Sequence, residues 1–127
     1  MKQKILIIED DEILSKVIKE ELEENDFEVI QAFDGEEGLN AAQSKDKNPD
    51  LILLDIMMPK MDGFEVLQSI KANEDIKNIP VFILTVLGSD EDIKKGIQLG
   101  AKDYIVKSQH AVSEIVEKID KFMETAV

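Results

Sequence analysis

The run Leu51-Ile52-Leu53-Leu54 carries four aliphatic side chains in a row and then meets a carboxylate, Asp55. A carboxylate delivered by so apolar a segment is costly unless it is paired, hydrogen-bonded or metal-bound. Three other apolar runs also end on polar groups. Ile5 to Ile8 leads into Glu9-Asp10-Asp11, Val81 to Leu84 into Thr85, and Tyr104 to Val106 into Lys107. Carboxylates, a hydroxyl and one ammonium on a shared rim have the composition of a phosphoryl-transfer site. A few hard oxygen ligands, with water completing the shell, describe a Mg²⁺ site. A metal between those acids and a phosphoryl group would cancel their repulsion. Lys107 would add a second positive charge on a flexible stem, and Thr85 could hydrogen-bond a phosphoryl oxygen. Asp55 would then be the nucleophile, forming an acyl phosphate.

Each residue also has a plainer reading. Asp10 or Asp11 could simply cap the next helix. Thr85 could owe its place to β-propensity, and Lys107 could be solvated surface. Those readings would all have to hold at four strand ends together. Met57, Met58 and Met61 read as packing, and His110 as surface.

The elements that must position these groups are legible from apolar patterning. The four runs just named, nearly continuous in Ile, Leu, Val and Phe, suit strands covered on both faces of a parallel sheet. The mixed segment Phe27 to Ala32 reads as an edge strand. Helical stretches lie between: Glu12 to Asn25 with Ile13, Leu14, Val17, Ile18 and Leu22 on one stripe, then Gly35 to Lys45 and Phe64 to Ala72. Ser89 to Leu99 opens with Ser89 and Asp92 at capping-box spacing and stops at Gly100. The last helix runs from Ser108 or Gln109 to about Glu124 and buries Val112, Ile115, Val116, Ile119 and Phe122. Five alternations of strand and helix define an open α/β sandwich, with helices on both faces. Ligands of such sheets bind beyond the carboxyl ends of the strands, which is where the acids, Thr85 and Lys107 fall.

Composition narrows the chemistry. The 127 residues are 43% hydrophobic and 34% charged, fitting one folded domain, and no apolar stretch is long enough to span a bilayer. The acidic start, "MKQKILIIEDDE", does not resemble a signal peptide, so a cytoplasmic protein is expected. Zero cysteines remove disulfides, thiolate metal sites and thiol nucleophiles, and a single histidine argues against a histidine metal site. A net charge of −13 argues against direct binding of nucleic acid or anionic membrane by this chain. It suits a divalent cation or a basic partner. Glu9-Asp10-Asp11 would repel a bare phosphate, so a flavin- or nucleotide-binding loop is excluded there.

The segments "ILIIEDDEILS", "PDLILLDIMMPKMDGFEVL", "PVFILT" and "LGAKDYIVK" together resemble the receiver domain of two-component response regulators, over nearly the whole chain. The resemblance implies one receiver domain over residues 1–127, with no output domain in this chain. Its fold would be a flavodoxin-like, three-layer αβα sandwich, whose doubly wound, five-stranded parallel sheet has the order 2-1-3-4-5. Asp55 matches the phosphoacceptor. Glu9 and Asp10 match the acidic pair that, with Asp55 and the backbone carbonyl of Met57, holds Mg²⁺ (Mn²⁺ as the alternative). Thr85 matches the switch hydroxyl, Tyr104 the switch aromatic and Lys107 the phosphoryl-binding lysine, while Asp11 is expected to cap a helix. The implied partner is a sensor histidine kinase or a histidine phosphotransfer protein. Phosphorylation would alter the face of helix four, strand five and helix five, which engages an output partner or domain. The chain would be a monomer or a phosphorylation-dependent dimer, and a phosphoacceptor rather than an enzyme.

Departures from the pattern carry their own expectations. Ser108 replaces the usual proline after the lysine, so the Lys107–Ser108 bond is either trans with a shifted loop or a strained cis bond. Ser108 could also cap the last helix. Val86 could narrow the approach to Asp55. Met57 and Leu87 are apolar where some members place water, which implies slow loss of the phosphoryl group. Two other readings stay open: a binding module of the same fold that makes little use of its site, and a Mg²⁺-dependent phosphatase. The latter would want an acid at Met57.

Overall fold

The computed structural model describes residues 2–125. The apolar runs become parallel strands β1 (Lys4–Ile8), β2 (Glu28–Ala32), β3 (Leu51–Leu54), β4 (Val81–Thr85) and β5 (Asp103–Val106). Their order is β2-β1-β3-β4-β5, as the sequence implied, with the mixed β2 at an edge. Between them lie α1 (Glu12–Glu24), α2 (Gly35–Gln43), α3 (Gly63–Ala72) and α4 (Asp90–Gln98), and α5 (Val112–Thr125) follows β5.

Because strand side chains alternate between faces, the sheet builds two cores. Leu6, Ile8, Ile52, Leu54, Val81 and Ile83 pack with α2 and α3. Ile5, Ile7, Leu51, Leu53, Phe82 and Leu84 pack with Ile18 and Leu22 of α1 and Ile115, Val116 and Ile119 of α5. The register pairs Ile8 with Leu54 and Leu54 with Ile83. The ladder then runs one residue further: Asp55 N–H donates to Ile8 O at 2.9 Å, and Glu9 N–H to Ala32 O at 3.0 Å. Two acids are thereby anchored side by side where the sheet ends.

Two helices depart from the sequence reading. Ile13 and Val17 do not belong to the buried stripe of α1; they are 79% and 44% exposed. The stripe is Ser15, Ile18 and Leu22. At 3.6 residues per turn, Val17 and Ile13 lie about 100° and about 140° around the helix from Ile18. Ser15 takes the buried place because its hydroxyl accepts a 2.9 Å hydrogen bond from Gln31 Nε2 on β2. The last helix likewise begins at Val112, not at Ser108 or Gln109. Lys107–Gln109 form one tight 3₁₀ turn, and His110 is extended (φ −140°, ψ 136°), so the helix cannot propagate through it. Ser108 is therefore not the cap of α5. Ala111 N–H instead donates to Glu114 Oε1 at 2.8 Å. Among the described residues no peptide bond is cis, so Lys107–Ser108 is trans. Val112 and Phe122 are half-buried rather than buried.

Other expectations hold. Asp11 caps α1, accepting from the N–H groups of Ile13 and Leu14 at 3.1 Å each. Ser89 caps α4 through Asp92 N–H (3.1 Å), and its hydroxyl donates to the Asp92 carboxylate (2.8 Å). Gly100 follows α4 at φ +110°, a conformation that favours glycine.

Candidate functional site

The four strand ends converge as the sequence required. Glu9 and Asp55 are 2% and 4% exposed, Thr85 is fully buried, and Asp10 faces solvent. Lys107 reaches over from the end of β5 and places Nζ 2.7 Å from Glu9 Oε1 and 3.2 Å from Asp55 Oδ2. Backbone groups orient the remaining oxygens. Asp11 N–H donates to Glu9 Oε2 at 3.0 Å, and Met57 N–H donates to Asp55 Oδ1 at 3.3 Å. Gly63 makes the close turn below Asp55 feasible, since a side chain there would collide with the Asp55 carbonyl.

The charges are unequally settled. Burial pushes the Glu9 carboxyl up to about 7, and Asp55 adds to that; Lys107 and the Asp11 N–H draw it back only part of the way. Burial acts on Lys107 in the opposite direction, but its contacts with Glu9 and Asp55 outweigh it, so its pKa is raised and it stays charged. One ammonium thus faces three carboxylates, a set that still lacks positive charge. Glu9, Asp10 and Asp55 each offer an oxygen within 4.8 Å of the others. Hard oxygen donors and excess negative charge both fit a Mg²⁺ or Mn²⁺ ion.

Thr85 and Tyr104, which the resemblance makes the switch pair, lie on the neighbouring strands β4 and β5. Thr85 Oγ1 accepts a long, 3.4 Å hydrogen bond from Leu87 N–H, which leaves its own proton free to donate. Tyr104 O–H donates to Leu87 O at 2.7 Å. Burial, with the charges of Asp92 and Asp55, pushes that phenol up to about 12. Leu87 as the joint between Thr85 and Tyr104 was not readable from sequence, because backbone partners leave no residue-type signal.

An apolar groove of about 490 Å³ opens next to Asp10, walled by Met57, Met58, Phe64 and Leu87. Val86 is 58% exposed and does not line it. A larger hollow, about 680 Å³, lies at the opposite end of the sheet among Lys2, Lys4, Glu23, Phe27 and Glu28. It gathers none of the groups discussed above.

An open, doubly wound parallel sheet with an acidic, lysine-spanned pocket at its carboxyl rim defines a class of phosphoryl-accepting signalling switches. The family model described as response regulator receiver domain matches residues 5–120, and the chain belongs to that family. It is similar to a probable transcriptional regulator ycf27 of Guillardia theta, 42% identical over 106 residues, which are 84% of this chain and 40% of that protein. Three curated relatives named ycf27 are matched over only 40–50% of their length. The receiver domain of Francisella response regulator 1452 superposes with a TM-score of 0.88 at 31% identity, covering 99% of this chain and 100% of that one. A Mn²⁺-bound form of response regulator Rcp1 gives 0.82 at 34%, covering 95% and 94%. Among the described residues no helix is long and apolar enough to cross a membrane.

Proposed function

We propose that Asp55 accepts a phosphoryl group from a phosphohistidine of a sensor histidine kinase or histidine phosphotransfer protein. An Asp55 carboxylate oxygen forms the new bond to phosphorus as the P–N bond breaks, and the imidazole keeps the electron pair. A divalent ion held by Glu9, Asp10, Asp55 and the Met57 carbonyl would neutralise charge on the transferring group. Lys107 is the chain's own contribution to that task. Its ammonium already bridges Glu9 and Asp55, and a phosphoryl group on Asp55, bringing about two negative charges, is a stronger partner for it. Thr85 turns its free proton toward a phosphoryl oxygen and gives up the long bond from Leu87. Tyr104 then responds through the shared Leu87 peptide, and the face of α4, β5 and α5 changes. The name of the ycf27 relative, a probable transcriptional regulator, supports transcription as the output.

On this reading residues 1–127 form one receiver unit in the cytoplasm. It turns over no external substrate, binds no nucleic acid or membrane itself, and acts as a monomer or a phosphorylation-dependent dimer. The apolar flanks Met57 and Leu87 cannot orient an attacking water, so the phosphoryl group is lost slowly.

The observation that carries the proposal is the single lysine spanning two buried carboxylates, beside a third acid, at the sheet's carboxyl rim. Incubation with a small acyl phosphate and Mg²⁺, read by intact mass, tests it. A phosphate adduct is expected on the native chain and none on Asp55→Asn. Absence of an adduct on the native chain would favour a passive binding module, and steady turnover of a phosphoester would favour a phosphatase. In the same assay Met57→Asn is expected to shorten the adduct's lifetime; an already short lifetime that Met57→Asn leaves unchanged would remove the slow-release inference.

A further inference from the structure

α4 is attached to the molecule in an unusual way. Its one buried residue is a glycine, Gly96, in the last turn of the helix. Glycine in a helix interior costs about 1 kcal/mol relative to alanine, so its presence here calls for a steric reason. A Cβ at Gly96 would lie 2.9 Å from Tyr104 Cδ2, 3.0 Å from Cε2 and 2.7 Å from Ile83 Cδ1. The Ile83 methyl is the far end of its side chain, but Ile83 is fully buried in the core, so it is a second obstacle to a side chain at this position. The tyrosine ring is rigid, and its other end is held by the 2.7 Å bond from its hydroxyl to Leu87 O. The other apolar side chains of α4 give it little grip: Ile97 is 46% exposed and Ile93 is half-buried, while Leu99, just past its end, packs against the core. Lys95 adds a tether by lying 4.3 Å from the centre of the Phe64 ring on α3.

We propose that Gly96 is a positioning residue for the switch. The side chain it lacks leaves a notch in α4 that seats the Tyr104 ring, and the seated ring holds the Leu87 carbonyl two residues beyond Thr85. Leu87 is then gripped at both ends of its backbone, by Thr85 Oγ1 at its N–H and by Tyr104 at its carbonyl. A reorientation of Thr85 loosens one grip, and the ring's seat on α4 turns that loosening into displacement of the helix. Any side chain at Gly96 evicts the ring, parts the hydroxyl from Leu87 O and uncouples α4 from Thr85. As a switch element this rests on the roles given above to Thr85 and Tyr104; as a seat for the ring it stands on geometry alone.

The chain has one tyrosine and no tryptophan, so a fluorotyrosine label reports on Tyr104 only. In the full chain without any phosphodonor, Gly96→Ala is expected to move the ¹⁹F resonance most of the way toward its position in the urea-unfolded chain, with helix content retained. An unmoved resonance overturns the proposal. A thermal-unfolding cycle supplies a second readout that a general helix effect cannot mimic. Gly96→Ala is expected to lower the melting temperature in an Ile83→Val background, which lacks the Cδ1 methyl, and to raise it in an Ile83→Val, Tyr104→Leu background, where the ring is gone as well and helix propensity remains. The same sign in both backgrounds, or failure to fold in both, overturns it; folding only with Tyr104→Leu supports it. Acyl phosphate and Mg²⁺ are then added. The label is expected to respond in the native chain and not in Gly96→Ala, although both take up phosphate. A native chain that takes up no phosphate sinks the Asp55 reading and leaves the seat standing. Equal responses in the two chains sink the coupling.

Discussion

Glu9 is the residue at which burial and charge compete most openly. Its carboxyl is 2% exposed, and burial, reinforced by Asp55, raises its pKa from 4.5 to about 7. In the unfolded chain the proton leaves near 4.5, so between about 4.5 and about 7 the folded state binds more protons than the unfolded one. The contribution of Glu9 to folding is therefore neutral below that window, worsens as pH rises through it, and stays unfavourable above it. Bound metal reverses the balance, because a metal ligand must be deprotonated and binding expels the proton. Mg²⁺ affinity is thus expected to rise between pH 6 and pH 8, with proton release near pH 6. Calorimetry in two buffers of different ionisation enthalpy would read both effects. Glu9→Gln, which has no proton to lose, is expected to flatten the dependence; an unchanged slope in that variant would assign the titration to another group.

At the scale of elements, the sequence was informative wherever one residue type had one physical use. Short continuous aliphatic runs bounded by turn residues read as strands buried on both faces, and the groups following them then fall on the carboxyl rim. That is why Glu9, Asp55, Thr85 and Lys107 were legible as a set before any coordinates. Legibility failed where two arrangements competed at nearly equal cost. Ile13 and Val17 match a helical period as well as Ile18 and Leu22 do, and which face turns inward follows from the packing of Ile18 and Leu22 against the sheet together with the Ser15–Gln31 hydrogen bond across to β2. Ser108 is a good capping residue by type, yet the 3₁₀ turn at Lys107–Gln109 spends it before α5 begins. Gly96 inside α4 was visible in the sequence, but its reason lies on β5, eight positions away. The two capping candidates now differ in their consequences. Asp11→Ala loses two backbone partners and is expected to cost about 1 kcal/mol relative to Asp11→Asn, which keeps the cap and controls for the charge. Ser108→Ala, exposed and uncapping nothing, should stay within about 0.5 kcal/mol. Urea unfolding separates them, and a larger loss at Ser108 would mean that the serine stabilises α5 after all.

For the whole molecule, the net charge of −13 raises the question of whether a divalent cation acts at one place or everywhere. A diffuse surface excess responds to any added salt through screening over about 10 Å at 0.1 M. A site built from Glu9, Asp10 and Asp55 responds to the concentration of one ion relative to its dissociation constant. An ion that binds only the folded state at a hundred times that constant stabilises it by about 2.7 kcal/mol. For a domain of this size the melting temperature should then rise by on the order of 10 °C. Monovalent salt at matched ionic strength should give a smaller rise that follows ionic strength and does not saturate. Asp10 separates the two cases, because it faces solvent and its loss disturbs the fold little while removing one of the three carboxylates of the cluster. Asp10→Asn is expected to abolish the saturable Mg²⁺ shift and keep the salt response, with Mn²⁺ following the same pattern. Removing the ion with a chelator should return the native chain to its starting melting temperature. An equal Mg²⁺ shift in Asp10→Asn would mean that the ion neutralises the surface as a whole, and the acidic rim would lose its claim to a metal.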